Sequence, residues 1–422
     1  MSSTQVHPDQ WSLAEGRIRR QRHVIIVLVF AAIMLNYIDR QVIALLKPML
    51  QTQFGWSNQD YSHMAAAYQF AAAIAFLSTG WFIDRVGLRR GFAWGVGVWS
   101  LAGMWHGLVY SVSGFVGARL VLGAAEAVGT PAKVKTAALY FPVEERSMMI
   151  GVGNMASNCG AILAPLAILP LAAWLGWRAA FLVSGGLGLV WVVLWTVVKH
   201  PPALALSGAA VHGTSVPWAK MLRDRRQWAI IAGKCFSDEV WWFLLFFIPD
   251  LFHRRFGLEQ SALGGPVALA YTLAALGSLS GGWLPSVLLR RGWPLNRARK
   301  MSLLIPALLI LPTPLVLKAG NAWVAALILG VALFAHQAYS TNVFGMSADL
   351  FAPRIVGTAV GIGAFAGNLS GMAMLETAGW SLDHGHGYAP LLWVCAISYL
   401  VATALIQVFV PVISVNTETS NP

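Results

Sequence analysis

The chain has 422 residues, of which 57% are hydrophobic and only 11% charged, with a mean hydropathy of +0.64. Soluble domains carry about 25% charged residues, so neither a soluble globular fold nor a disordered chain fits this composition. The net charge of +12 would point to nucleic acid in a soluble protein, but here Lys and Arg lie in short runs between apolar blocks, a pattern of membrane topology.

A membrane helix needs about 20 mostly apolar residues. Residues 1–23 form a basic tail with Arg17, Arg19, Arg20 and Arg22. The first apolar block, 24–46, is too long for the apolar region of a cleavable signal and is followed by no small-residue cleavage site. Blocks at 61–83, 92–110, 114–140, 148–171 and 179–198 complete a first set of six. The stretch 199–227, with Pro201, Pro202, Pro217 and the basic run Arg223, Arg225 and Arg226, reads as a cytoplasmic linker. Blocks at 228–252, 264–289, 301–317, 322–347, 355–377 and 388–412 form a second set, and 413–422 is a C-terminal tail. The expected fold is an all-α integral membrane protein of twelve transmembrane helices in two six-helix halves, 24–198 and 228–412. Gly80-Trp81 at the end of block two recurs as Gly282-Trp283 at the end of block eight, each followed by a double arginine. Such a weak repeat suits a transporter built from two parallel halves around a central site.

Orientation follows from the basic residues. With the N-terminus in the cytoplasm, 21 of the 29 Lys and Arg fall on the cytoplasmic side. Lys47, Arg178, Arg254, Arg255 and Lys318 fall on the outer side, and Arg40, Arg119 and Lys234 lie inside spans. This bias places both termini inside. Lys47 is expected to snorkel toward the outer surface. Cys159, Cys235 and Cys395 are far apart with no ligand spacing, and His384 with His386 supplies only two ligands. Neither a disulfide framework nor a metal site is expected.

Ionisable groups inside a membrane are costly, so each is a functional candidate. Block one contains Asp39-Arg40, and block four contains Arg119 and Glu126. The latter are seven apart and share one helix face, which lets Arg119 pair with Glu126 or with Asp39. Lys234 with Asp238-Glu239 reads as a gate or, preferably, as an interfacial ion pair. Among polar residues, His336, Gln337, Ser340 and Asn342 are candidates for pocket lining; for His336 and Gln337 a helix–helix hydrogen bond serves equally well. Asn154, Ser157 and Asn158 lie along one face of block five, with lining slightly favoured. The aromatic run Trp241-Trp242-Phe243 suits packing as well as binding.

Residues 80–90, GWFIDRVGLRR, resemble the signature loop between helices two and three of the major facilitator superfamily. Gly80 would allow close helix approach, Gly87 a tight turn, and Asp84 a cross-half cap or ion pair. With Arg85, Arg89 and Arg90 these residues form an expected conformational latch. More narrowly, the chain resembles the anion:cation symporter family and its hexuronate transporter branch. The resemblance is carried by NYIDRQ (36–41), RLVLGAAEA (119–127), YFPVEERS (140–147), DEVWWFLLFFIPDLF (238–252), GGWLPSVLLRRGWPLNRARK (281–300), AHQAYSTNVF (335–344) and VGTAVGIGAFAGNLSGM (356–372).

The resemblance implies proton-coupled import of a sugar acid. It assigns proton coupling to Asp39 and Glu126, with Arg119 as partner of the latter. It places Arg40 near the substrate carboxylate, Tyr37 and Tyr68 along the pocket, Asn368 as a polar contact, and Trp242 as a weaker match. The chemistry agrees, because a guanidinium binds a carboxylate bidentately and stays charged throughout a cycle. Two departures are acidic: Asp250, where hexuronate relatives tend to be basic, and Glu376, which has no evident place.

The expected function is therefore secondary active symport of a sugar-acid anion, foremost a hexuronate, by alternating access. Another anion (aldonate, aldarate or aromatic acid) is the alternative in the same class, and an uncoupled uniporter or a membrane sensor the alternative in another. Buried acids have little use in a uniporter, and the 29-residue linker is too short for a sensor's output domain. No nucleophile–base pair or P-loop has workable spacing for an enzyme or an ATP-driven pump. The expected partners are a small anion, protons and the lipid bilayer. No cofactor beyond the coupling proton and no nucleic acid is expected, the chain being a monomer in a bacterial inner membrane.

Overall fold

The computed structural model describes residues 8–141, 143–200, 218–351 and 355–413, and within them all side chains but those of 8–18, 84, 138, 143–152, 154, 218, 260 and 261. Among the described residues the chain is helical, with no strand. In chain order the helices are α1 (Pro8–Phe54), α2 (Asn58–Val86), α3 (Leu88–His106), α4 (Val112–Glu126), α5 (Gly129–Tyr140), α6 (Val143–Leu175), α7 (Trp177–Val197), the short α8 (Trp218–Met221), α9 (Arg225–Phe256), α10 (Gln260–Arg290), α11 (Leu295–Leu309), α12 (Ala322–Leu350), α13 (Val356–Asp383) and α14 (Ala389–Phe409).

These helices fill the twelve expected spans. α4 and α5 together make the fourth, with a break at Ala127–Val128. α11 and a 3-10 turn, Thr313–Lys318, make the ninth; Pro312 and Pro314 lie at that break, where the helix ladder loses donors. Among the described residues, ten spans are long and apolar enough to cross a membrane on composition alone. α3 and α9 complete the twelve, and α9 carries Lys234, Asp238 and Glu239 at its middle.

Turn chemistry sets the boundaries. Ser57 and Asp60 form a reciprocal capping box at the start of α2, Asp224 caps α9, and Asn321 caps α12, each supplying an acceptor to otherwise unpaired N–H groups. Gly87 takes φ +87° between α2 and α3, so the tight turn expected of it is present. A Cβ on Gly80 would meet open space, so the close helix approach expected there does not depend on its lacking a side chain.

Glycines bring helix backbones together inside each half. A Cβ on Gly123 of α4 would run into the backbone of Tyr68 on α2, and one on Gly277 of α10 would run into the backbone of Phe334 on α12. The same pair of spans thus makes a glycine contact in both halves, as small residues permit in membranes. In the second half Gly363, Gly367 and Gly371 of α13 face Lys234, Asp238 and Trp242 of α9. Both series advance by four residues, which keeps each on one helix face.

The halves meet along α2–α13, α6–α10 and α1–α9. Trp94 and Trp174 are exposed, as are many Leu and Val side chains, an outer surface suited to lipid and its headgroups. The bundle has a linker end, where α7 finishes and α9 begins, and a far end, carrying loop 55–57.

Candidate substrate and proton site

The centre of the bundle holds a compact charged group. Arg40 Nε of α1 donates to Glu126 Oε2 of α4 at 2.8 Å, and the Tyr68 hydroxyl of α2 donates to the same oxygen. Glu126 Oε1 is buried without a hydrogen-bond partner. The Arg40 guanidinium carbon lies 4.8 Å from the ring centroid of Tyr37, 5.5 Å from Tyr68 and 5.7 Å from Trp242. Trp242 belongs to α9, so an arginine of one half is walled by an aromatic ring of the other. The Trp242 indole N–H is buried and unpaired. A fixed cation, an acid bound to it and three aromatic faces form a site able to hold a carboxylate and stack a sugar face.

Asp39 makes no hydrogen bond within that group. It is buried with Ser184 of α7 as its polar neighbour, yet neither carboxylate oxygen reaches hydrogen-bond geometry. Arg119 is wholly buried, and none of its three guanidinium nitrogens has a hydrogen-bond partner. The expected pairing of Arg119 with Glu126 or Asp39 is therefore absent; it acts on both through its field alone, with its guanidinium carbon 5.9 Å from the Tyr68 ring centroid. Seven residues of helix are about 10 Å of rise, too far for a direct bond between Arg119 and Glu126, and Arg40 occupies the closer position.

A second charged group closes the far end. Lys47 Nζ lies 3.0 Å from Asp250 Oδ2 and donates to Asn58 Oδ1 at 3.1 Å. Arg254 Nε reaches Asp250 at 2.8 Å, and the Tyr388 hydroxyl donates to Asp250. Asp383, at the end of α13, accepts from the backbone N–H groups of Asn58 and Gln59 at 3.0 and 2.7 Å, capping α2 from the opposite half. Glu376 accepts from Gln59 at 2.6 Å and lies 2.8 Å from His63. Lys47 does not snorkel: its side chain is 0% exposed, because Asp250 offers a buried partner closer than the surface.

The arrangement can be set beside known proteins. The family model described as Major Facilitator Superfamily matches residues 29–375. The chain belongs to the Major Facilitator Superfamily. This member of the superfamily is 30% identical to a hexuronate transporter of Escherichia coli strain K12, covering 96% of this chain and 98% of that one. It is 26% identical to a D-galactonate transporter of Escherichia coli strain CFT073, over 92% and 94%. The fold is similar to a bacterial homologue of the human lysosomal transporter Spinster, in an inward-facing, occupied conformation, with a TM-score of 0.74, 19% identity and 93% and 97% coverage. The chain is thus a multi-pass membrane transporter of this superfamily and not an enzyme.

The remaining site candidates of this facilitator are dispersed. Ser157 is half-buried and Asn158 buried on α6, which packs on α1 where Gly160 meets Met34 and Tyr37; Asn154 lies outside the described side chains. His336 Nδ1 is 2.8 Å from the Tyr399 hydroxyl, and its ring stacks on Trp241 at 4.7 Å. These contacts join α12 to α14 and α9. Asn342 donates to Gly281 and Ala338 carbonyls and packs helices likewise. Gln337 is half-buried on α12, and Asn368 Nδ2 bonds the Ala364 carbonyl of its own helix at 2.8 Å. Lys234 and Asp238 form an ion pair at 2.8 Å, buried within the second half rather than at an interface with solvent. In the expected latch, Arg89 donates to the Thr196 carbonyl at 2.5 Å, Arg85 lies over Trp81, and Arg90 is exposed; the Asp84 side chain lies outside the described residues. The sequence does not single out the far-end group of Asn58, Arg254, Asp383 and Tyr388. Its only signal in the sequence is a set of polar and charged residues at span ends, where such residues are common.

Proposed function

We propose that this transporter is a proton-coupled symporter importing a sugar-acid anion, foremost a hexuronate, across a bacterial inner membrane, with both termini cytoplasmic. The observation that carries this reading is the Arg40–Glu126–Tyr68 cluster walled by Trp242 across the half interface. Arg40 can neutralise either Glu126 or a substrate carboxylate. An unpaired buried carboxylate is costly, so a substrate that takes Arg40 leaves Glu126 to be neutralised by a proton. Proton and anion occupancy are then linked, and the linkage is reciprocal. Asp39, buried and unbonded nearby, is a second proton carrier, and Arg119 supplies the positive field around both acids. The Trp242 N–H and the rings of Tyr37 and Tyr68 suit hydroxyls and a sugar face. The relation to a hexuronate transporter supports the substrate class, and the relation to a D-galactonate transporter supports an aldonate as the second reading.

With the linker end cytoplasmic, the far-end contacts between Lys47, Asn58, Asp250 and Asp383 close the periplasmic side. The test is uptake of radiolabelled glucuronate and galacturonate into proteoliposomes, with and without an inward proton gradient. Gradient-driven accumulation competed by hexuronates, and not by neutral hexoses, is expected. Equilibration without accumulation would refute coupling.

A further inference from the structure

Lys47 repeats, two turns further along α1, the surroundings of Arg40. The two cations are seven residues apart, so they share a helix face about 10 Å apart along the axis. Arg40 lies between Tyr68 of α2 and Trp242 of α9. The Lys47 ammonium lies 4.7 Å from the ring centroids of both Tyr61 of α2 and Phe247 of α9. Tyr61 and Tyr68 are again seven apart on one face. Each cation is also held by one buried carboxylate, Glu126 for Arg40 and Asp250 for Lys47.

The two acids differ in origin. Glu126 sits in the same half as its arginine, so their pair survives a movement of the halves. Asp250 comes from the opposite half, so its pair with Lys47 exists only while the far end is shut. When the halves part, Asp250 keeps Arg254 and Tyr388, both of its own half. Lys47 keeps the neutral oxygen of Asn58 and the Tyr61 ring. An ammonium left in that state, beside a ring and facing an opened vestibule, is a site for an anion.

We propose that Lys47 is a second carboxylate-binding station on the substrate path, two turns outward of Arg40, and that Asp250 occupies it in place of the substrate while the far end is closed. The ligand is a monocarboxylate with a hydroxylated body, entering from the far side. It meets Lys47 first and passes along the same face of α1 to Arg40. Closure returns Asp250 to Lys47 and bars the way back. The station rests on the anion-transport reading above.

The experiment measures KM in both directions, using right-side-out and inverted membrane vesicles with radiolabelled glucuronate and, in parallel, D-galactonate. The variants are Lys47→Gln, Lys47→Arg and the double variant Lys47→Gln with Asp250→Asn. The double variant leaves no uncompensated buried charge at the site, so it decides the matter if Lys47→Gln alone does not fold. For Lys47→Gln and the double variant, KM for entry from the far side is expected to rise tenfold or more, while KM from the linker side changes less than twofold. Lys47→Arg should stay within threefold of the native chain on both sides. An unchanged far-side KM in the double variant, or an equal rise on both sides, would overturn the station and leave the transport reading standing. No transport of either anion by the native chain would overturn that reading, and the station with it.

Discussion

Replacing Glu126 by Gln fixes the site in its proton-loaded charge state. In the native structure Arg40 Nε is 2.8 Å from Glu126 Oε2, and a substrate carboxylate must compete with that pair. Taking the two charge centres about 4 Å apart in a medium of effective dielectric 20, the attraction is about 4 kcal/mol. Gln accepts the same hydrogen bond from Arg40 without the charge, so most of that competing attraction disappears. At about 1.4 kcal/mol per decade, full release would tighten anion binding about a thousandfold. Retained hydrogen bonding and the 12% exposure of the Arg40 side chain reduce this, so a gain of about tenfold to a few hundredfold is expected. The assay is glucuronate binding to purified protein, measured by equilibrium dialysis over a range of pH. Native binding should weaken as pH rises, binding by Glu126→Gln should lose most of that slope, and the variant should exchange substrate without accumulating it. Weaker binding at every pH, or accumulation at the native level, would refute the competition between Glu126 and substrate for Arg40.

Three further outcomes follow from the packing and the caps. Asp383 caps α2 from the opposite half, so Asp383→Ala removes about 1 kcal/mol of far-end closure. Labelling of a Ser62→Cys probe by an impermeant maleimide should then rise about fivefold, and an unchanged rate would deny that contact a role in closure. Gly123→Ala forces a Cβ into the Tyr68 backbone, which should cost about 1–3 kcal/mol, lower the Tm and weaken substrate binding by moving Tyr68 off Glu126; a native Tm would contradict the close approach. Asp224 caps α9, and although burial alone would raise its carboxyl, the hydrogen bonds and charge of Arg226 hold it below the usual range. Its contribution is present above about pH 4 and lost as pH falls, so Asp224→Ala should lower the Tm at pH 7 and leave it less sensitive to acid.

The spans were legible because apolar runs of membrane length have few other uses, and even the short ninth block proved to be α11 extended by a 3-10 turn. Arg40 and Glu126 stood out because charges in apolar runs are rare. Their mutual pairing did not, since α1 and α4 are brought together only by the bundle, while Arg119 and Glu126 share a visible helical spacing that their axial separation defeats. Lys47 looked like a snorkelling lysine from its place near a span end; only the position of α9 shows Asp250 opposite it. The acidic departures Asp250 and Glu376 have the same explanation, as both face the other half, to Lys47 and to Gln59 with His63. Composition does not separate the two readings of His336 and Gln337, because polar residues that join helices and those that line a path are the same types; His336 has a partner on a neighbouring helix.

Coupling of anion entry to proton entry is tested most directly by adding glucuronate, without any imposed gradient, to proteoliposomes that enclose a pH-sensitive dye. Interior acidification in step with uptake is expected for the native chain, and none for Glu126→Gln. Uptake by the native chain with no change of interior pH would contradict the coupling assigned to Glu126 and Arg40.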